Sequence, residues 1–128
     1  MKIRLQQSAS AKTEMSVVLV AEGDAPQLPA PLSACWEAAK ATGDVKTDAQ
    51  KASVFHPHAG PKRFGCVGLG KRKDVDTERL RRAAAVAQAI AEDRGVRSFE
   101  LLIDDAMFGK ASAEEAGVAI AEGLVLGA

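Results

Sequence analysis

The stretch Phe64-Gly65-Cys66-Val67-Gly68-Leu69-Gly70, followed by Lys71-Arg72-Lys73-Asp74 and then Leu80-Arg81-Arg82-Ala83-Ala84-Ala85, decides the fold. Phe64 to Leu69 is too short for a helix and apolar on both alternating faces, so it reads as a strand covered from two sides. The charged loop ends it. Asp76 then predicts an N-cap and Glu78 a favourable first-turn charge for a long helix. Its buried stripe is read as Leu80, Ala83, Ala84, Ala87, Ile90 and Ala91, with Arg81, Arg82, Gln88 and Glu92 outward and Gly95 as the stop. A strand running straight into a helix is the unit of an α/β sheet.

The flanks repeat the unit. Towards the N-terminus, Ala52 to Phe55 reads as a short strand stopped by Pro57 and the Gly60-Pro61 turn. Leu32, Cys35, Trp36 and Ala39 mark a helix introduced by prolines 26, 29 and 31 and ended at Thr42-Gly43. Ser16 to Ala21, with Val17-Val18-Leu19-Val20, predicts another two-sided strand, closed by Glu22-Gly23-Asp24. Ile3 and Leu5 alternate with polar neighbours, the pattern of a half-buried strand. Towards the C-terminus, Phe99 to Ile103 is a strand ending at Asp104-Asp105. Ser112 and Glu115 form a capping box for a last helix carrying Ala116, Ile120, Ala121 and Leu124 on one face. The expected order is ββαββαβα: an α/β domain with a mixed sheet between helical layers, a three-layer α/β/α sandwich.

With 128 residues, the chain fits one domain, residues 1–128. Hydrophobic residues at 47% and charged residues at 27% exclude a disordered chain, and one Trp with no Tyr leaves the core to Ala, Val, Leu and Ile. Seventeen basic and seventeen acidic residues cancel, which speaks against a dedicated nucleic-acid binder. The N-terminus lacks the apolar core of a secretory signal, and no run approaches the ~18 apolar residues of a membrane span. A cytoplasmic location is expected, with Cys35 and Cys66 as buried free thiols and no membrane partner. The ending Gly123-Leu124-Val125-Leu126-Gly127-Ala128 has no polar closing turn and reads as continuing into further protein, unless Gly127 is simply a helix C-cap. Ile120 and Leu124 are expected to dock, leaving Val125 or Leu126 partly exposed.

Each candidate site falls short of the chemistry it suggests. His56 and His58 share a strand face, but a zinc site needs at least three protein ligands. Gly68-x-Gly70 precedes a helix, as phosphate loops do, yet Lys73 stands where a dinucleotide fingerprint has its third glycine. Gly70-Lys71 is followed by Arg72, not by the Ser or Thr of a P-loop. Lys71, Arg72, Lys73, Arg79, Arg81 and Arg82 form a basic cluster that Asp74, Asp76 and Glu78 dilute. No Gly-x-Ser-x-Gly elbow is present, and Cys35 and Cys66 lie on buried elements, away from nucleophile duty. No catalytic, cofactor-binding or metal-binding residue is therefore assigned.

Val67-Gly68-Leu69-Gly70-Lys71, the acidic cap and Leu80-Arg81-Arg82-Ala83-Ala84-Ala85 together resemble the strand–Gly-Leu-Gly–helix segment of leucyl aminopeptidases. The tail Ala121-Glu122-Gly123-Leu124-Val125-Leu126-Gly127-Ala128 is similar to the stretch that ends their front domain, and the earlier strand and the Cys35-Trp36 helix occur in the same order. The resemblance covers nearly the whole chain. It implies a macro-domain-like N-terminal domain, a separate C-terminal catalytic domain with two divalent metals (zinc or manganese), and a homo-oligomer, a hexamer in the family. The family's Asn-Thr-Asp-Ala-Glu-Gly-Arg segment has only a failed lookalike here, Thr47-Asp48-Ala49-Gln50-Lys51, with Gln50 at the ligand position and no Gly-Arg after it. The expected role is non-catalytic: packing with the catalytic domain and supporting assembly. The alternatives are a macro-like module for ADP-ribose or another nucleotide, and a DNA-contacting module.

Overall fold

A computed structural model describes residues 2–6, 14–102 and 108–126, with the side chains of residues 2–6 and 125–126 outside the description. The elements follow the expected order: β1 (Lys2–Gln6), β2 (Met15–Ala21), α1 (Ala30–Ala41), β3 (Ala52–Phe55), β4 (Arg63–Gly70), α2 (Thr77–Asp93), β5 (Ser98–Leu102) and α3 (Ala113–Leu126). One short 3₁₀ turn, Arg72–Asp74, replaces the plain loop expected before α2. Ile103 to Asp105, read from sequence as the end of the last strand, lie outside the described residues, and β5 ends at Leu102.

The five strands are ordered β1-β5-β2-β4-β3. All neighbours are parallel except β3, which runs antiparallel to β4, so the sheet is mixed. Side chains alternate across it with period two. Met15, Val17, Leu19, Val67, Leu69, Phe99 and Leu101 share one core with α2 and α3. Val18, Val20, Phe64, Cys66 and Leu102 share the other with Leu32 and Trp36 of α1. Three layers result: two helices on one face and α1 on the opposite face.

Local chemistry sets the helix ends. The Asp76 carboxylate accepts from the Arg79 N–H at 2.9 Å, capping α2. At α3, Ser112 Oγ accepts from the Glu115 N–H and Glu115 Oε1 accepts from the Ser112 N–H, each at 3.1 Å, a complete capping box. Glu115 is held below the ordinary carboxylate range, chiefly by the backbone hydrogen bond from Ser112.

Two helical stripes differ from expectation. Gln88, expected outward, is fully buried, and its Nε2 donates to Glu92 Oε1 at 2.8 Å. The cause is α3, which packs against the Arg81 and Ala84 flank of α2, the flank that runs on to Gln88. Ile90, on the far margin of the stripe, is only half-buried. On α3, Ala121 is exposed and Ala119 is buried in its place. At about 100° per residue, Ala121 lies about 140° from Ala116, whereas 119, 120, 123 and 124 stay close to its side. Ile120 and Leu124 dock as expected, and Val125 and Leu126 have side chains outside the described residues.

The α2–α3 contact depends on Gly123. A Cβ built there would stand 2.1 Å from the Arg81 carbonyl oxygen and 2.9 Å from Ala84 Cβ. Gly123→Ala therefore opposes two effects: a gain of up to ~1 kcal/mol in helix propensity and a clash with rigid backbone at the upper end of the roughly 1–3 kcal/mol that overpacking costs. Net destabilisation is expected in urea unfolding, and a stabilised variant would contradict this packing. Glu115 gives a pH counterpart. Its folded pKa lies below its unfolded one, so its contribution is complete above the ordinary Glu range and is lost as pH falls through the lowered folded value. Glu115→Gln should flatten the acid limb of a Tm-versus-pH curve and leave its alkaline limb unchanged.

Candidate functional site

In open α/β sheets, ligands bind at the carboxyl ends of neighbouring strands whose connections leave for opposite faces. Here those strands are β2, which leads to α1, and β4, which leads to α2. The crevice between them carries the Gly68-Leu69-Gly70 motif. Its main-chain donors already have partners. The Gly68 N–H donates to the Lys51 carbonyl and the Gly70 N–H to the Thr47 carbonyl, both at 2.8 Å. The Gln50 N–H in turn donates to the Gly68 carbonyl at 2.9 Å, and the Glu22 N–H to the Gly70 carbonyl at 2.7 Å.

Segment 47–51 is thus laid along the end of β4. The approach needs glycine: a Cβ at position 68 would lie 2.1 Å from the Asp48 carbonyl oxygen. Gly70 has φ +74° and sits under Arg79, whose Nη1 donates to the Leu69 carbonyl at 3.1 Å. Gln50, with φ 67°, is the one non-glycine residue in the left-handed region among the described residues. Gln50 therefore turns the chain onto β4. Across the mouth, Arg72 Nη2 and Asp24 Oδ2 form an ion pair at 3.3 Å. The glycines serve close backbone packing against segment 47–51, which lies along the β3 side of β4.

The arginines of the basic cluster are similarly engaged. Arg82 Nε donates to Glu78 Oε1 at 2.8 Å, Arg81 also binds Glu78, and Arg81 reaches Glu122 of α3 at 3.6 Å. Glu78 is held below its ordinary range, first by the hydrogen bond from Arg82. Arg72, before the helix, and Arg79, on it, are paired as described.

His56, His58 and Cys35 come together at one place. They line a groove of about 760 Å³ between the outer flank of α1 and β3. No three His, Cys, Asp or Glu side chains converge as a metal site among the described residues. Cys35 is only partly buried, against expectation, because it lies between the core stripe of α1 and this groove. Cys66 is buried in β4; burial, and then the neighbouring Cys35, push its thiol up to about 12. Burial also raises Cys35. Sequence reasoning missed the groove, although its signal was present: Ala30, Ala34 and Ala38 recur every fourth residue on a second face of α1.

Residues 16–128 match the model of the cytosol aminopeptidase family, N-terminal domain. Among solved structures, a mutant of tomato leucine aminopeptidase aligns over 99% of this chain and 28% of its own, with a TM-score of 0.67 and 22% identity. The macrodomain of Mycobacterium tuberculosis DarG aligns over 97% of this chain and 90% of its own, with a TM-score of 0.61 and 12% identity. These likenesses describe a macrodomain-like α/β fold, and the chain spans 28% of the length of the tomato enzyme. No curated protein matches the chain by sequence.

The two thiols should separate chemically. In the native protein at pH 8, an aromatic disulfide reagent should label Cys35 slowly and leave Cys66 unmodified, because only thiolate attacks. In denaturant, both should react. Equal native rates would show that Cys66 is not enclosed as described.

Proposed function

The chain belongs to the cytosol aminopeptidase family, as its N-terminal domain, and from that premise we propose that it is a non-catalytic domain of a metallo-aminopeptidase. Its work is to pack against the catalytic domain and support assembly of the oligomer, a hexamer in the family, in the cytoplasm. The two divalent metals, zinc or manganese, belong to the catalytic domain. A pair of metals held there would supply an activated water and polarisation of the scissile carbonyl. The observation that carries this reading is the family match over residues 16–128.

Two other readings have less support. A nucleotide module needs main-chain donors open at the strand ends, and those of Gly68 and Gly70 are taken by Lys51 and Thr47. A DNA-contacting module needs cations available to phosphates, and Arg81 and Arg82 are paired with Glu78.

The test has two arms. The purified chain, given a leucyl chromogenic substrate with zinc or manganese, should show no turnover. Mixed with the separately produced catalytic domain of its parent protein, it should co-elute as a larger species. Chelator-sensitive turnover by the chain alone would overturn the non-catalytic assignment, and failure to associate would overturn the packing role.

A further inference from the structure

The groove beside α1 runs along β3, at the edge of the sheet. Among the described residues β3 is the last strand of the sheet, so one of its sides has no paired strand there. The Lys51 carbonyl accepts from the Gly68 N–H, and Ser53 pairs in register with Cys66. Antiparallel alternation then turns the backbone groups of Ala52 and Val54 away from β4. Exposed edges are normally guarded by charge, proline or a bulge. Ala52-Ser53-Val54-Phe55 contains none of these.

Beside this edge, α1 presents Ala34 and Ala38, both exposed, with Phe55 as the opposite wall. The two ends of the groove differ in charge. At the start of β3, Asp44 is fixed: Thr42 Oγ1 donates to its Oδ2 at 2.7 Å, and Ser53 Oγ donates to its carbonyl at 3.2 Å. At the exit of β3, His56 and His58 supply imidazole donors. From Ser53 to His56 an extended strand covers about 10 Å, the length of a tripeptide.

We propose that the α1–β3 groove binds a short apolar peptide with free termini, added in parallel to β3, its ammonium at Asp44 and its carboxylate at His56 and His58. The edge supplies main-chain hydrogen bonds, which any peptide can accept and donate. The alanine face of α1 takes the apolar side chains. The opposed ends set direction, because reversing the peptide would place carboxylate against carboxylate. Complementarity to both termini is the argument against a second copy of the chain as occupant: β3 paired with its own copy has no free terminus to offer Asp44 or the histidines.

The test uses the isotope-labelled 128-residue chain and the tripeptide Leu-Val-Leu, with N-acetylated and C-amidated forms as controls. Amide shifts should move along β3, α1 and His56–Ala59, with a dissociation constant on the order of 0.1–1 mM. Capping either terminus should weaken binding by about three- to fivefold, the scale of one exposed charge contact. Asp44→Asn should abolish the effect of acetylation, and His56→Ala with His58→Ala should abolish that of amidation. Ala34→Glu fills the groove from an exposed helical position and should remove binding in a protein whose circular dichroism is unchanged. The proposal is overturned if β3 amides stay still up to about 10 mM peptide, or if capped and free peptides bind alike. It is also overturned if folded Ala34→Glu binds as the parent does, or if the β3 amides shift with protein concentration alone, which would identify a second copy as the occupant.

Discussion

Burying both faces of the adjacent strands β2 and β4 is the constraint on which the rest of the structure depends. Met15 to Ala21 has no exposed residue, and β4 is buried from Phe64 to Gly70. Each Val or Leu left in water would cost roughly 1.5–3 kcal/mol, so neither face tolerates solvent. Cover must come from both sides. The connection after β2 supplies it on one face through α1, and the connection after β4 supplies it on the other through α2. Divergence of those two connections creates the crevice at the strand ends, and segment 47–51 lies beside it, bonded to the β3 side of β4.

Much of this was legible in the sequence because two-sided apolar strands and capped helices are local signals. Asp76 and the Ser112–Glu115 box announce their helices through side-chain chemistry within one turn. Phe64 to Leu69 announces its strand by having no polar face. What failed were statements about which flank of a helix a second helix covers. Gln88 looks like an outward residue on α2 alone, and becomes buried only once α3 lies along Arg81 and Ala84. The partners of Gly68 and Gly70 were equally hidden, since Thr47 and Lys51 are about twenty residues away in the chain. Glycine spacing shows that the backbone comes close to something there. It does not show to what.

That ambiguity separates fold from function. A Gly-x-Gly after a buried strand has two uses: an open one, with N–H groups aimed at an anion, and a closed one, with the same groups bonded to a neighbouring loop. Both need a small residue for close approach. The DarG macrodomain shares this chain's architecture at 12% identity, so the sheet itself does not choose between them. In this chain the choice lies with Gln50, whose left-handed turn sets the Thr47 and Lys51 carbonyls over the glycine donors.

The two helical layers are unequal, and the inequality has a consequence at the sheet edge. Among the described residues α2 and α3 together cover one face, while α1 alone serves the other and spends Leu32, Trp36 and Ala39 on the core. A second helix on that face would lie over β3, against Ala34 and Ala38. Its place is the groove. An edge strand beside an uncovered apolar helix face invites unwanted pairing unless it is short or blocked, and β3 is four residues long, bounded by Lys51 and followed closely by Pro57. Those bounds confine any pairing to a few residues, which excludes long strands and leaves room for a short one. The restraint on aggregation and the length of the ligand then come from the same boundaries.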